Sequence, residues 1–318
     1  MTRIVVLDDY QGVALGLGGW DRLPPGCEVV AIDRALPDTD ELVAALEGAE
    51  VVIAMRERTR FDAERLARLP DLRLLVTTGM ANASIDLEAA TGAGITVSGT
   101  RGRGGATLEL TWGLILAVAR SIPQEDANVR AGGWQSTVGL ELDGATLGIV
   151  GLGRLGAAMV PVARAFGMEV VAWSQNLTPE RAAEAGVRAV TKEELFSTAD
   201  VVSIQYKLGP RSVGLVGAAE LALMRPTAYL VNTSRGPIVD TPALLDALHA
   251  GRIAGAALDV FDEEPLPVDH PLRSAPRTVL SPHLGYVSGA NYAVFYRDAV
   301  DDVLAYLDGT PVRVLEAA

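Results

Sequence analysis

Short β-branched apolar runs alternate with amphipathic segments over the first hundred residues. They predict strands at Ile4–Leu7, Val29–Ile32, Val51–Ala54, Leu72–Val76 and Ile95–Val97. Segments with helical spacing, each with acidic or hydroxyl residues near its start, lie between them at Asp40–Leu46, Phe61–Leu69 and Ile85–Thr91. This alternation predicts a parallel sheet with helices on both faces.

The same alternation returns in the second half of the chain, after a helical segment at Ala106–Arg120 and an irregular stretch that ends at Trp134. The predicted strands are Leu147–Val150, Val170–Trp173, Val201–Ile204, Ala228–Val231, Ala256–Val260 and Thr278–Leu280. The predicted helices are Arg154–Phe166, Pro179–Glu184, Ala218–Met224, Pro242–Leu248 and Val294–Leu307. These intervals are typical of a six-stranded dinucleotide-binding sheet.

The last predicted helix begins only after the second sheet is complete, so we expect it to return to the first domain. The chain is therefore predicted to be an α/β protein with two doubly wound parallel-sheet domains. A Rossmann cofactor domain at residues 100–286 is inserted into a discontinuous, flavodoxin-like substrate domain at residues 1–99 and 287–318.

A glycine-rich turn joins the strand at 147–150 to the following helix. Gly151 permits the tight turn, Gly153 leaves room for phosphates, and Gly156 allows the helix to pack on its strand. The helix begins with Arg154 and Leu155, and its free N–H groups favour an anion. Such glycine spacings also occur in turns without ligands, but the strand–turn–helix context favours a dinucleotide.

The position that selects between NAD and NADP lacks the usual acid. Ser174, Gln175 and Asn176 follow the next strand, where an acidic residue would bind the ribose 2′-hydroxyl of NAD. Ser174 and Gln175 can hydrogen-bond to a hydroxyl or to a 2′-phosphate, and Lys207 or Arg181 could reach a phosphate. NADP is therefore permitted and NAD is not excluded. The alternative is that a neighbouring loop supplies the acid.

Three further loops carry candidate catalytic groups. Arg235, Glu264 and His283 each follow a predicted strand, and ligands of open α/β sheets bind at the carboxyl ends of strands. Histidine transfers protons near neutral pH, a paired glutamate fixes its tautomer, and arginine binds a carboxylate while polarising a carbonyl. Taken singly, Arg235 could be an ion-pair partner, Glu264 a solvated acid and His283 a cap. His249 and His270 are interpreted as structural or surface residues.

Composition narrows the functional classes. The 318-residue chain has a net charge of −13, which disfavours a nucleic-acid or anionic-membrane surface. A single cysteine, Cys27, excludes an internal disulfide and suits a reducing cytoplasm. The N-terminus lacks the features of a signal peptide, and no apolar run is long enough for a membrane span. We expect a cytoplasmic protein with a small-molecule substrate and without a metal site.

Four segments carry a resemblance to a known family. They are Gly151–Gly156, Val231–Gly236, Ala257–Phe261 with Glu264-Pro265, and Ser281–Gly285. In this order and spacing the chain resembles the D-isomer-specific 2-hydroxyacid dehydrogenases over essentially its whole length. The resemblance implies reversible reduction of a 2-keto acid to a D-2-hydroxy acid with a nicotinamide cofactor.

The resemblance also assigns site residues. It makes Arg235, Glu264 and His283 the catalytic groups, with Arg235 and His283 also binding substrate. It further implies that the cofactor is contacted by Thr107, Thr233, Asp259 and Gly285, with Thr107 and Asp259 near the nicotinamide.

Substrate contacts are implied in the first domain. The loop with Gly79, Met80 and Ala81 matches one whose backbone N–H groups bind the substrate carboxylate. Arg58 matches a position that contacts the far end of the substrate in some relatives, although a solvated surface arginine is an equal alternative.

Several residues depart from the family pattern. Ala81 replaces the second glycine usual in the substrate loop, which narrows access to its backbone. Gln205 and Lys207 stand where relatives tend to have histidine and proline, near the adenosine end of the cofactor. Tyr286 replaces a glycine and is expected to shape the mouth of the pocket. These changes bear on specificity and remove no catalytic group.

Two other functions stay open. Formate dehydrogenases resemble this chain but carry glutamine at the Glu264 position, so Glu264 favours proton transfer. An NAD(H)-sensing interaction protein on the same fold would bind cofactor with little turnover, and the intact triad disfavours it. We also expect a homodimer, because the Leu108–Val118 helix and the Trp134 segment offer an apolar face.

Overall fold

The computed structural model describes residues 1–317 and divides into two units. Unit 1 comprises Met1–Gly104 and the described residues from Val287 onward, and unit 2 is Gly105–Tyr286. The first division therefore falls after Gly104 rather than after residue 99. The reason is local: Gly79 donates its N–H to Thr100 Oγ1 at 2.9 Å, and Arg103 donates its N–H to Asn291 Oδ1 at 2.7 Å.

Unit 1 is built on a five-stranded parallel sheet of order β2-β1-β3-β4-β5. Its strands are β1 Thr2–Val6, β2 Cys27–Ala31, β3 Val51–Ala54, β4 Leu74–Thr77 and β5 Thr96–Gly99. The predicted strands are all present; Val51–Ala54 has the predicted bounds, and the ends of the others are shifted by one or two residues. The strand order is the flavodoxin-like one, as predicted.

The helices of unit 1 are short except for the last. They are α1 Ala14–Leu17, α2 Thr39–Ala45, α3 Ala63–Ala67, α4 Leu87–Gly92 and, from the C-terminal part of the chain, α12 Gly289–Leu307. Asp38, Asp62 and Asp86 begin α2, α3 and α4 by accepting a backbone N–H three residues on. Helix α12 packs on β4 and α1, which confirms that the last helix returns to the first sheet.

Unit 2 contains a seven-stranded parallel sheet of order β12-β11-β10-β9-β6-β7-β8. The strands are β6 Thr146–Val150, β7 Glu169–Trp173, β8 Arg188–Ala189, β9 Val201–Ile204, β10 Tyr229–Asn232, β11 Gly255–Leu258 and β12 Thr278–Leu280. The prediction of six strands was wrong by one, because β8 has only two residues and no recognisable apolar run. The order from β8 to β11 is the Rossmann order, with β12 added at the edge.

The helices of unit 2 include two that the apolar pattern did not reveal. They are α5 Ala106–Ala119, α6 Ile122–Arg130, α7 Arg154–Ala165, α8 Pro179–Glu184, α9 Lys192–Thr198, α10 Ala218–Leu223 and α11 Thr241–His249. The stretch before Trp134, expected to be irregular, is largely α6, which buries none of its residues and so lacks an apolar stripe. Helix α9 was missed as well.

Helix α5 lies against β10, β11 and β12, where Trp112, Ile115 and Val118 are buried. The exposed apolar side chains of this region lie instead on α6 and the segment after it. Trp134 is 74% exposed and Val138 fully exposed. None of the described helices has the length and apolar character needed to cross a bilayer.

Candidate active site

Three consecutive strands of unit 2 end in the loops that carry the predicted catalytic groups. Strands β10, β11 and β12 are hydrogen-bonded neighbours and run parallel. Arg235 follows β10, Glu264 follows β11 and His283 follows β12. Because parallel strands end at the same edge of their sheet, the three side chains emerge from neighbouring loops there.

Glu264 and His283 form a direct pair. Glu264 Oε2 lies 2.5 Å from His283 Nδ1, and Glu264 Oε1 accepts the Phe261 N–H at 2.9 Å. The carboxylate is thus fixed by backbone on one side and holds the imidazole on the other. A carboxylate can only accept, so the pair with ionised Glu264 has its proton on Nδ1, and Nε2 is the nitrogen left for chemistry.

The backbone at His283 is held in an uncommon conformation. Its φ of +54° lies in the left-handed region, and its N–H is donated to Ser281 O at 3.0 Å. Asp259, at the end of β11, accepts the N–H groups of Leu284 at 2.7 Å and Gly285 at 2.8 Å. These bonds brace the loop in which His283 is strained, and strain of this kind is typical of functional sites.

Asp259 was predicted to lie beside the nicotinamide. It is 1% exposed, also accepts the Ser281 hydroxyl, and burial raises the pKa of its carboxyl. In this structure its oxygens are therefore engaged by the loop that carries His283.

The loop that carries Arg235 is braced from within. The Asn232 side chain donates to Arg235 O at 2.9 Å and accepts the Ser234 N–H at 3.0 Å. Gly236 follows, and a Cβ there would overlap the backbone of Phe261 after β11. Glycine thus lets the loops after β10 and β11 touch, which brings Arg235 beside the segment that leads to Glu264.

The glycine-rich turn after β6 fits a dinucleotide pyrophosphate. Gly151 has φ of +101°, and a Cβ on it would lie 2.5 Å from Gln205 O. A Cβ on Gly156 would overlap Gly151 O, whereas a Cβ on Gly153 would meet nothing within 4 Å. The first and third glycines are thus required by the turn, and the second leaves open space at the start of α7. Arg154 and Leu155 form the first turn of that helix, where N–H groups bind anions.

Beyond the turn, Ser174 and Gln175 after β7 are the residues predicted to bind the adenosine ribose. Ser174 Oγ accepts the Leu152 N–H at 2.9 Å, so this hydroxyl is tied to the glycine-rich turn and keeps its own proton to donate. Gln175 is exposed. The Trp173 ring stacks on Tyr206, with centroids 6.1 Å apart, and Lys192 Nζ lies 5.8 Å from the Trp173 centroid.

Hydroxyl groups link the start of α5 to the ends of β10 and β12. Thr107 donates to Gly285 O at 2.7 Å, and Thr111 donates to Thr107 O at 2.7 Å. Thr111 Oγ1 in turn lies 2.8 Å from Thr233 Oγ1, which is buried. The predicted cofactor residues Thr107, Thr233 and Gly285 thus belong to one hydrogen-bonded group.

In unit 1 the predicted substrate residues follow β4 and β3. Gly79 has φ of +98°, and its N–H is donated to Thr100 Oγ1, so this amide is directed inward. Met80 is 49% exposed and Ala81 is exposed. Asn82 closes the loop by donating to Thr77 Oγ1 at 2.9 Å.

Arg58 is half-buried rather than solvated. Its Nη1 donates to Asp8 O at 2.9 Å, and its guanidinium carbon lies 4.5 Å from the centroid of the Tyr10 ring. Asp8 also accepts the Thr59 hydroxyl at 2.7 Å and the Tyr10 hydroxyl at 3.0 Å, and burial raises the pKa of its carboxyl. The arginine therefore lies in a fixed polar cluster at the carboxyl ends of β1 and β3.

Some residues of these loops were not predicted. Asn232 is one, yet an asparagine at a strand end, followed two residues later by serine, is the signal of an Asx turn. Tyr10 follows β1 at the same edge as Arg58, so the strand-end argument could have found it. Among residues 1–317, no three histidine, cysteine, aspartate or glutamate side chains are placed to hold a metal ion.

A parallel Rossmann-order sheet, a phosphate-binding turn and a carboxylate–histidine pair next to an arginine define a dinucleotide-dependent oxidoreductase. The family model for the NAD-binding domain of D-isomer specific 2-hydroxyacid dehydrogenases matches residues 112–285. The chain is 36% identical over 300 residues to a glyoxylate reductase of Aeropyrum pernix, covering 91% of this chain and 86% of that enzyme. It therefore belongs to the D-isomer-specific 2-hydroxyacid dehydrogenase family.

Two further relatives agree. The D-3-phosphoglycerate dehydrogenase of Mycobacterium tuberculosis H37Rv is 37% identical over 252 residues, which cover 78% of this chain but only 47% of that longer enzyme. The crystal structure of a phosphoglycerate oxidoreductase from Vibrio cholerae superimposes with a TM-score of 0.92 at 35% identity, covering 97% of this chain and all of that one. The protein is an oxidoreductase that transfers hydride between a nicotinamide cofactor and a 2-keto acid/2-hydroxy acid pair.

Proposed function

We propose that this protein catalyses the reversible reduction of a small 2-keto acid to the D-2-hydroxy acid, with Arg235, Glu264 and His283 as its catalytic residues. The observation that carries the proposal is the 2.5 Å pair between Glu264 and His283 on the loop next to Arg235. A protonated imidazole held by a carboxylate is the group that donates a proton to a carbonyl oxygen as it becomes a hydroxyl.

When bound, a nicotinamide dinucleotide would supply the hydride that reduces the keto carbon. His283 Nε2–H donates the proton to the keto oxygen, while Glu264 stabilises the imidazolium through Nδ1. Arg235 binds the substrate carboxylate and polarises the adjacent carbonyl, for which a planar guanidinium is suited. In the oxidation direction, neutral His283 accepts the hydroxyl proton at the same nitrogen. The Glu264 carboxylate also distinguishes this site from one that transfers hydride alone.

In unit 1 we propose that the loop at Gly79, Met80 and Ala81 binds the substrate carboxylate. Gly79 donates its N–H to Thr100, so we assign the hydrogen bonds to the carboxylate to the N–H groups of Met80 and Ala81. Gly79 is assigned the role of forming the turn. Arg58 is proposed to bind a polar or acidic group at the far end of larger substrates. Its support from Asp8 and Tyr10 fixes the orientation of the guanidinium.

For the cofactor, we propose binding of NAD(P) by three groups of residues. Gly151, Gly153, Arg154, Leu155 and Gly156 bind the pyrophosphate, and Ser174 with Gln175 binds the adenosine ribose. Thr107, Thr233, Asp259 and Gly285 are proposed to line the nicotinamide end. Ser174 in place of an acid permits NADP as well as NAD, since a hydroxyl does not repel a 2′-phosphate.

The test is turnover of glyoxylate, pyruvate, hydroxypyruvate and larger 2-keto acids with NADH and NADPH separately, followed by chiral analysis of the product. We expect oxidation of at least one cofactor and a D product. Tight binding of cofactor without turnover of any keto acid would contradict the proposal and favour a sensing protein. Oxidation of formate without reduction of any keto acid would favour a formate dehydrogenase.

We also propose a cytoplasmic homodimer. The exposed apolar side chains of α6 and the following segment support it: Ile122 is 53%, Val129 52% and Trp134 74% exposed. Helix α5 contributes less to such a surface than the sequence suggested, because Trp112, Ile115 and Val118 are buried. Sedimentation of the wild type and of Trp134→Ser tests the dimer, and cell fractionation tests the location.

A further inference from the structure

One buried polar atom at the carboxyl edge of unit 2 lacks a hydrogen-bond partner within the described residues. It is the side-chain oxygen of Gln205, the residue that follows β9. Its amide nitrogen is engaged: it lies 3.0 Å from Ser203 Oγ and 3.2 Å from Thr233 Oγ1. A buried acceptor without a donor is costly, so it indicates a place where a ligand donates.

The proton donors and acceptors around Gln205 fix which way its amide points. Thr107 O can only accept, so the Thr111 hydroxyl donates to it. Thr111 Oγ1 must then accept from the Thr233 hydroxyl, which lies 2.8 Å away. With its only proton used, Thr233 can only accept from Gln205. The Gln205 nitrogen therefore faces Thr233, and the free atom is the acceptor Oε1 rather than an N–H donor.

The position of Gln205 in the sheet tells which part of a dinucleotide it meets. Strands β6 and β9 are neighbours at the point where the strand order reverses, and dinucleotides bind over such a point. The glycine-rich turn follows β6. Ser174 and Gln175, proposed to bind the adenosine ribose, follow β7, and Asp259, proposed to line the nicotinamide end, follows β11. The nicotinamide half must cross the ends of β9 and β10, which carry Gln205 and Thr233.

Gln205 also lies against the phosphate-binding turn. Its carbonyl oxygen is 2.5 Å from where a Cβ of Gly151 would be. The sequence placed Gln205 near the adenosine end of the cofactor, but its side chain reaches towards Thr233 and Thr111, on the side away from β7. The group next to the pyrophosphate on this side of a dinucleotide is the ribose attached to nicotinamide, whose hydroxyls can donate hydrogen bonds.

We propose that Gln205 Oε1 accepts a hydrogen bond from a hydroxyl of the ribose next to the nicotinamide. Thr233, Thr111 and the Thr107 carbonyl hold the amide in the accepting orientation. Gln205 is thus a specificity residue for the nicotinamide half of the cofactor. The proposal rests on the dinucleotide binding of the proposed function and adds a contact that the glycine-rich turn does not supply.

The test compares three ligands on wild type and Gln205→Met, a variant of similar volume that removes the acceptor. ADP contains only the adenosine ribose, ADP-ribose adds the second ribose, and NADH adds the nicotinamide. If NADPH is the tighter cofactor, the 2′-phosphorylated counterparts are used. Affinities are measured by calorimetry, and NADH binding also by energy transfer from tryptophan. Gln124→Met, on the exposed face of α6, is the matched control.

We expect Gln205→Met to weaken ADP-ribose and NADH by about 3- to 10-fold, the effect of one lost hydrogen bond, and to leave ADP unchanged. Unchanged ADP affinity also shows that the unit is folded. Equal weakening of all three ligands would overturn the proposal in favour of the adenosine end. No change in the affinity for any of the three ligands would overturn the proposal, because water would then satisfy Oε1 in the complex. If wild type binds none of the three, the proposed function itself fails.

Discussion

The two units carry charged side chains at the carboxyl ends of parallel strands, but they use them differently. In unit 2, Glu264 binds His283 through Nδ1, which leaves Nε2 for a reactant. In unit 1, Arg58 is surrounded by Asp8 and Tyr10, and Arg101 is bound by both oxygens of Asp298. The first arrangement leaves a ring nitrogen available to a reactant, whereas in the second Arg101 pairs with a buried carboxylate and Arg58 with a backbone carbonyl and an aromatic ring. We therefore propose that the same sheet type supports proton transfer in unit 2 and substrate recognition in unit 1.

The largest expected effect comes from removing the proton donor of unit 2. His283→Gln should lower kcat by about 100- to 10,000-fold, the usual contribution of general acid–base catalysis. Cofactor affinity should be unchanged, since the imidazole acts on the substrate. Steady-state kinetics and cofactor titration measure both. His249→Gln, at the exposed end of α11, is the control and should behave like the wild type. A wild-type kcat for His283→Gln would show that His283 is not the proton donor, and the proposed difference between the units would be lost.

Arg235→Lys tests whether geometry as well as charge matters in unit 2. Lysine keeps the charge but loses the planar fork that binds a carboxylate and polarises the carbonyl. We expect kcat/KM to fall about 100-fold, comparable to the loss of an oxyanion donor. Arg225→Lys, whose surface ion pair with Asp200 is not at the site, serves as the comparison. If the two variants have similar kcat/KM, Arg235 is not a catalytic residue.

Arg58→Gln tests the recognition role of unit 1. For keto acids with a second acidic group, KM should rise about tenfold, the value of a charged hydrogen bond, with kcat nearly unchanged. Glyoxylate, which has no far end, should be affected little. Arg60→Gln removes a well-exposed arginine nearby and should alter neither constant. A uniform loss of kcat for all substrates would place Arg58 with the catalytic groups instead.

The smallest effect concerns the stability of unit 1 rather than turnover. Asp302 is buried on α12, 2.9 Å from Arg313, and burial raises its pKa from 3.8 to about 7. Between those values the folded chain keeps a proton that the unfolded chain has lost, so the free energy of unfolding falls as pH rises and levels off above the folded pKa. Asp302→Asn should therefore raise Tm by a few degrees at about pH 8, and by less at about pH 5.

Thermal unfolding monitored by circular dichroism at both pH values measures the gain. Asp301→Asn, on the same helix but partly exposed and paired with Arg22, is the control and should change Tm little at either pH. A gain that is equal at both pH values would mean that Asp302 does not titrate between them.

The sequence by itself determined the sheets and most of their order. Apolar runs such as Val51–Ala54 and Val201–Ile204 became strands with the predicted bounds, because strands buried on both faces must be apolar throughout. It also placed Arg235, Glu264 and His283 at strand ends, since that follows from chain order alone. Helix α6 escaped because it buries no side chain, and β8 because two residues form no pattern.

Only the tertiary structure decided which groups touch. The Glu264–His283 pair spans 19 residues, and Arg58 meets Asp8 across 50, separations over which no local pattern acts. The orphaned oxygen of Gln205 is likewise a property of four hydroxyl and amide groups from different elements. The tendency to form a helix or strand depends on neighbours in the chain. Which groups donate and which accept hydrogen bonds at a site depends on neighbours in space. This is why the sequence could indicate the candidate catalytic residues and a glutamate–histidine pair, but not the backbone bonds that hold their loops.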